Sequence, residues 1–362
     1  MAWTDRYVDA SAAGGGTGTS PADPWTLAEA HSNSTAGMRV NIKAGTYTVA
    51  SVLSRSFSGT TSNSVWWRGY KTTTGDLDDI FDEEKTESTD IPLVNITSGY
   101  LLESGGSFLL SSIAFKSSSS ARPAFYLNGA STKAWNCRFI YNLTTGGSAG
   151  SVKNQLYGVF ANCFFENKDT SNSYEVVFDQ GVENTYINCF FTGSGCKVVS
   201  QNSYGGFHGC VFDNLYEGIT NSSRGISVNQ CTFRDISQNA INTAPGASLV
   251  CTNNYFSNVS GAAIASSSLS SNVFVSGNVF QNVSTQMLNI YESTQVSSAT
   301  DGSDLFVDSS SNDFTLQASS NGYGSQQRCF GYGASSFRDR GAIQHQDPSG
   351  GGGATVHPLY AN

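Results

Sequence analysis

The side chains able to move protons or grip charged sugars recur at one place in this chain, directly after a phenylalanine. That position reads Ile140, Glu166, Thr192, Asp213, Arg234, Ser257 and Gln281, with Arg138 and Asp235 close by. Glu166 and Asp213 could act as acid and base, and the planar fork of Arg234 could hold the carboxylate of a uronate. Hydrolysis of a glycosidic bond needs two carboxyl groups about 5 to 9.5 Å apart. Elimination beside a carboxylate needs a basic group, usually with bound cations that acidify the proton. The same residues would also serve as ordinary solvated side chains flanking a corner. Carboxylates are few in each repeat and no Asp cluster recurs, which favours that plainer role.

What must position these residues is a repeat. Phenylalanine returns at Phe115, Phe139, Phe165, Phe191, Phe212, Phe233, Phe256, Phe280 and Phe306, at steps of 21 to 26 residues. Its neighbours travel with it: Asn136-Cys137-Arg138-Phe139, Asn162-Cys163-Phe164-Phe165, Asn188-Cys189-Phe190-Phe191 and Gln230-Cys231-Thr232-Phe233. Self-similarity at this period marks a repeat architecture, in which each unit buries its apolar face against its neighbours. In an extended strand the Cys and the Phe two residues later share a face, so both point inward and the variable residue between them points out. Alternation from Cys210 also puts His208 inward. Asn167, Asn214, Asp235, Asn258 and Asn282 follow the Phe as corner residues that tolerate a left-handed backbone, and stacked Asn side chains can bond from layer to layer.

Two further short apolar runs complete each repeat, as in Ile219 followed by Ile226-Ser227-Val228. Three strands and three corners in roughly 24 residues make one coil of an all-β, right-handed, single-stranded parallel β-helix, with coils about 4.8 Å apart. Glu166 and Asp213, two coils apart, would then stand about 9.6 Å from each other along the backbone. A leucine-rich repeat has a similar period but needs a helix-forming return segment, and the returns here are Ser, Asn, Gly and Thr. The divisions are residues 1–50 as an N-terminal cap with a short helix and the first strands, 51–345 as the β-helix, and 346–362 as a Gly-rich linker and tail.

Charged residues make up only 13% of the 362 residues and the net charge is −9, which repels a polyanion such as nucleic acid. The acidic excess gathers in residues 76–90, read as a solvated loop because it lacks the glycine and ligand spacing of an EF-hand. Of the eight cysteines, Cys137, Cys163, Cys189, Cys210 and Cys231 occupy the inward slot. Parallel Cβ vectors do not favour disulfides there, so reduced, buried thiols are expected. The first eight residues contain no apolar core of a leader and no segment is long enough to span a bilayer, which points to folding in a cytoplasm and to no membrane partner. No cofactor is implied. No histidine has metal-ligand spacing, and no metal site is expected.

The order Tyr7-Val8-Asp9-Ala10, a glycine-rich loop, Pro24-Trp25-Thr26-Leu27-Ala28-Glu29-Ala30 and Val40-Asn41-Ile42-Lys43-Ala44-Gly45-Thr46-Tyr47 resembles the N-terminal cap of right-handed β-helix proteins of the pectate-lyase-like superfamily. Arg338-Asp339-Arg340-Gly341-Ala342-Ile343-Gln344 resembles the closing coil of the same superfamily, and Phe314-Thr315-Leu316 reads as a closing strand. The resemblance implies fold more than function, because the superfamily holds polysaccharide lyases, hydrolases, phage tailspikes and non-catalytic virion proteins. Low charge, the missing leader and the sparse carboxylates point first to a non-catalytic phage virion component, a capsid decoration protein or a tail-associated β-helix. It would be homotrimeric and would pair with other virion proteins. Its contact residues would be the outward Phe164, Phe190 and Tyr255, together with His357, Pro358, Leu359 and Tyr360 of the tail. Trp66, Trp67, Trp135, Tyr157 and Tyr186 add rings that could contact a subunit or a sugar. The alternatives are a tailspike-type polysaccharide lyase or glycoside hydrolase using Glu166, Asp213 and Arg234 on bacterial surface glycans, and an adhesin that binds glycans without cleaving them.

Overall fold

The computed structural model describes residues 2–290 apart from 57–59, 61–62, 78–86, 99, 105, 119–124, 129–130, 143–151, 155–156, 171–173, 180–182, 201–203, 223 and 271, together with 306–308 and 313–316. Two compact units divide the chain at residue 205. Each is built from coils of parallel β-helix, and no helix among the described residues is long and apolar enough to cross a membrane.

The first unit starts with its cap. Strand Thr4–Val8 pairs in parallel with Met38–Lys43, and the helix Leu27–Asn33 lies between them in sequence. Thr26 starts the helix with a capping box: its hydroxyl accepts from the Glu29 amide at 3.2 Å, and the Glu29 carboxylate accepts from the Thr26 amide at 2.8 Å. The helix buries Leu27, Ala30 and His31, and the His31 ring meets the inward Trp67 edge to face at 6.2 Å. An apolar helix face over the first coil covers what would otherwise be an open end.

Beyond the cap each coil contributes one strand to a first sheet and two to a second. In the first sheet Met38–Lys43, Val65–Tyr70, Ser107–Ser111, Ser131–Trp135, Gly158–Ala161 and Asn184–Ile187 pair in parallel, each with the next. In the second, Thr46–Val49, Leu93–Ile96, Ala114–Ser117, Arg138–Tyr141, Phe164–Asn167 and Phe190–Ser200 do the same. Phe115, Phe139, Phe165 and Phe191 form a fully buried column with centroids 5.5, 5.2 and 5.0 Å apart and rings within 13° of parallel. These spacings are close to the distance between adjacent strands, so each ring stacks on its copy in the next coil.

The cysteine slot has its own logic. Asn136, Asn162 and Asn188 take φ of 54°, 51° and 50°, turning the chain from one sheet to the other in a single left-handed residue. The following thiol is then buried beside backbone carbonyls: Cys163 Sγ donates to Ala134 O at 3.6 Å and Ala161 O at 3.3 Å, and Cys189 Sγ to Phe160 O and Ile187 O, both at 3.4 Å. Burial pushes the Cys163 thiol well above its ordinary pKa. The described cysteines are all free thiols.

The second unit repeats the scheme. Ile226–Asn229, Leu249–Thr252 and Val273–Ser276 pair in parallel in its first sheet, and Val211–Asn221, Thr232–Ile236, Tyr255–Ser270 and Val279–Ile290 in its second. Phe212, Phe233, Phe256 and Phe280 stack at 4.5, 4.9 and 5.2 Å. Asn214, Asp235, Asn258 and Asn282 have φ of 50°, 52°, 54° and 49° and form the expected ladder: Asn258 Nδ2 donates to Asp235 Oδ1 at 2.9 Å, and Asn282 Nδ2 to Asn258 Oδ1 at 3.1 Å.

Two expectations about the repeat do not hold. Asn167 is not a left-handed corner; it is buried, donating to Glu175 O at 2.8 Å and accepting from the Asp169 amide at 2.9 Å. Phe306 does not extend the column, because its strand Phe306–Asp308 pairs antiparallel with Asp313–Leu316, which contains the expected closing strand. A repeat interval alone does not fix strand direction.

Candidate functional site

Glu166 belongs to the first unit, on the outward side of the second sheet. Register puts Asn95, Lys116, Ile140, Glu166 and Thr192 in one row across five coils, with Arg138, Phe164 and Phe190 in the row beside it. The Phe164 and Phe190 rings stack at 5.5 Å and 13°, both half-buried. The Glu166 carboxylate is 3.8 Å from Lys168 Nζ, and Lys116 Nζ is 3.9 Å from Glu87 Oε2. Burial pushes the Glu166 carboxyl above its usual range, and the attraction of Lys168 and Lys116 recovers only part of the shift. Such a group keeps its proton to a higher pH than a solvated glutamate and is a stronger base once ionised.

Asp213 and Arg234 belong to the second unit and are register partners on adjacent strands. Arg234 Nε donates to Asp213 Oδ1 at 2.6 Å and lies 3.3 Å from Asp235 Oδ2. Asp213 is 6% exposed despite its outward position, and burial raises its pKa against the pull of the guanidinium. Arg234 is thus committed to two carboxylates of its own chain, which fits a packed ion pair better than an open subsite for a uronate.

The remaining sequence-predicted positions separate in the structure. Tyr255 occupies the expected outward slot but is fully buried, its hydroxyl donating to Gln281 Oε1 at 2.7 Å, so it offers no exposed contact. Tyr186 and Trp67 point inward; Tyr186 stacks on Phe160 at 5.1 Å. Tyr157 is exposed. His357, Pro358, Leu359 and Tyr360, the motif at 338–344 and most of the acidic run lie outside the described residues. Among the described residues no group of His, Cys, Asp and Glu is arranged to hold a metal ion.

His208 corrects the alternation argument. Gly209 takes the left-handed conformation at φ 63°, the corner role Asn136, Asn162 and Asn188 play elsewhere, and a left-handed residue resets the face on which side chains emerge. Phe207 is therefore the buried neighbour, while His208 is half-exposed with Nε2 3.4 Å from Ser227 Oγ. Burial holds its pKa below the ordinary imidazole value, which favours the neutral ring. The Gly at the Asn position of the repeat was the signal that could have revealed this.

Known proteins share this architecture. A family model described as right handed beta helix region matches residues 123–280. Among solved structures, pectate lyase Pel9A aligns with 94% of this chain and 96% of its own at a TM-score of 0.66 and 12% identity. The PL6 family polysaccharide lyase Pedsa3628 from Pseudopedobacter saltans aligns with 70% of this chain and 82% of its own at 13% identity and a TM-score of 0.33. No curated protein matches by sequence. The chain is a right-handed parallel β-helix with the pectate-lyase-like fold, and at such low identity the likeness concerns fold alone.

Proposed function

We propose that the protein acts on an acidic polysaccharide and cleaves it by β-elimination, with Glu166 carrying the proton. The observation behind this reading is the raised pKa of a carboxyl set beside lysines and next to the stacked Phe164 and Phe190 on one outward face. Elimination breaks the C–H bond beside the uronate carboxylate and the C–O bond of the linkage. Arg138 and Lys116 supply positive charge for the carboxylate, which acidifies the C–H proton. Ionised Glu166 takes that proton and returns it to the leaving sugar oxygen, so the step balances with one carboxyl. The Phe164 and Phe190 rings offer an apolar floor for sugar faces. The fold shared with a pectate lyase is compatible with this reaction class.

The test is absorbance of the unsaturated uronate released from polygalacturonate or alginate. Wild-type protein is expected to generate it, and Glu166→Gln to lower the rate about 100-fold or more without lowering the melting temperature. An inactive wild type, or an active Glu166→Gln, removes the proposal. Sedimentation as a trimer with both rings protected from solvent labelling would reassign Phe164 and Phe190 to a subunit contact.

A further inference from the structure

One inward column of the second unit is polar where the column beside it is apolar. Strand Ile241–Thr243 pairs in parallel with the far end of Val211–Asn221 on one side and with Tyr255–Ser270 on the other. Register stacks Ile219, Ile241 and Ile264, all fully buried. Two residues further along the same face it stacks Asn221, Thr243 and Ser266, which are 1%, 1% and 2% exposed. Asn221 Oδ1, Thr243 Oγ1 and Ser266 Oγ have no hydrogen-bond partner among the described residues. Burying a hydroxyl or an amide oxygen with nothing to bond costs more than a typical hydrogen bond contributes. Three such atoms, in register on successive coils, form one strip of unmet hydrogen-bonding capacity.

The chemistry of the strip selects what can fill it. Asn221 Nδ2 donates to Arg224 O at 2.8 Å and to Ser248 O at 3.5 Å, which fixes the amide and leaves Oδ1 as a pure acceptor. The two hydroxyls can donate or accept. Adjacent strands stand about 4.8 Å apart, too far for a side-chain oxygen to bond its counterpart in the next coil directly. A water between two coils reaches both oxygens at about 2.8 Å with an angle of about 120° at its own oxygen, close to tetrahedral. Each polar side chain is also smaller than the isoleucine beside it in the same coil. A cation would meet three neutral oxygens in line rather than around it, with no counter-charge among them.

We propose that Asn221, Thr243 and Ser266 form an internal binding site for ordered water, one molecule between each pair of adjacent coils, which ties three coils of the second unit together through their side chains. The first water donates to Asn221 Oδ1 and bonds the Thr243 hydroxyl; the second bonds the hydroxyls of Thr243 and Ser266. Every unpartnered atom of the strip gains a partner, the role buried water plays in protein interiors. The site is independent of the reaction proposed at Glu166.

Thr243→Val in the full chain tests it, because this change keeps the shape of the side chain and removes the hydroxyl that both waters share. A hydroxyl bonded to two waters predicts a fall in melting temperature, expected at about 2 to 4 °C, whereas a bare hydroxyl in a dry core predicts a rise. Ser266→Ala should also lower the melting temperature, and the double variant should lose less than the sum, since one water serves both residues. An unchanged or raised melting temperature for Thr243→Val, or additive losses, overturns the site. A diffraction map of the wild-type chain reads it with no substitution: a water within about 3.2 Å of both Thr243 Oγ1 and Ser266 Oγ is expected. Hydroxyls turned onto backbone carbonyls with no density between them, or anomalous scattering from soaked rubidium at that position, would equally remove it.

Discussion

Glu166 in the first unit and Asp213 in the second occupy the same position of the repeat, one residue after an inward phenylalanine, yet they have opposite surroundings. Asp213 meets an arginine at 2.6 Å and is 6% exposed; Glu166 keeps its nearest lysine at 3.8 Å and a quarter of its side chain open. Both have raised pKa values with burial as the leading cause, so the pKa alone does not separate them. Geometry does. A carboxylate clamped by an adjacent guanidinium is part of the packing, while one beside solvent-accessible amines and half-buried rings can exchange a proton with a ligand.

The sharpest way to break this comparison is to remove the two cations. Arg234→Ala leaves Asp213 buried and unpaired and should cost about 3 to 5 kcal/mol in urea unfolding, whereas Lys168→Ala should cost less than about 1 kcal/mol. Equal losses would mean that both carboxylates are structural. A smaller effect is expected at Asn258→Ala, which removes a rung of the exposed ladder and leaves alanine at φ 54°, for a loss of about 1 to 2 kcal/mol. The smallest is a pH effect. The folded pKa of Glu166 lies above its unfolded value, so the folded state binds more protons between the two, and the contribution of this group to stability falls as pH rises through that interval. Glu166→Gln should therefore gain on wild type from acid toward neutral pH, read as the difference between their melting temperatures. A constant difference would mean that the carboxyl is not desolvated.

The inward half of the molecule was legible from residue spacing. Phe and Cys two apart predict a shared inward face, and the columns through Phe115 and Phe212 follow from it. Where the spacing argument failed, a left-handed residue or a change of strand direction intervened, at His208 and at Phe306 respectively. Glu166 and its flanking rings were also legible, since they sit at fixed offsets from the repeat. The Trp66 cluster was not. Its members, Trp3, Arg39, Trp66, Arg68 and Trp135, come from distant positions in the chain and meet only because the register of the first sheet stacks their strands.

The sequence by itself determined that the chain winds into a β-helix and which residues fill its interior, because those properties depend on local alternation, and it placed the left-handed corners at Asn214, Asp235, Asn258 and Asn282 while misplacing one at Asn167. Tertiary structure decided the fate of what points outward. Tyr255 and Asp213 sit in outward slots and are buried, while Phe164 and Glu166 in equivalent slots keep some exposure. Alternation sets the direction of a side chain, but its solvation, charge state and chemistry depend on what lies over it and on which coils stand beside it.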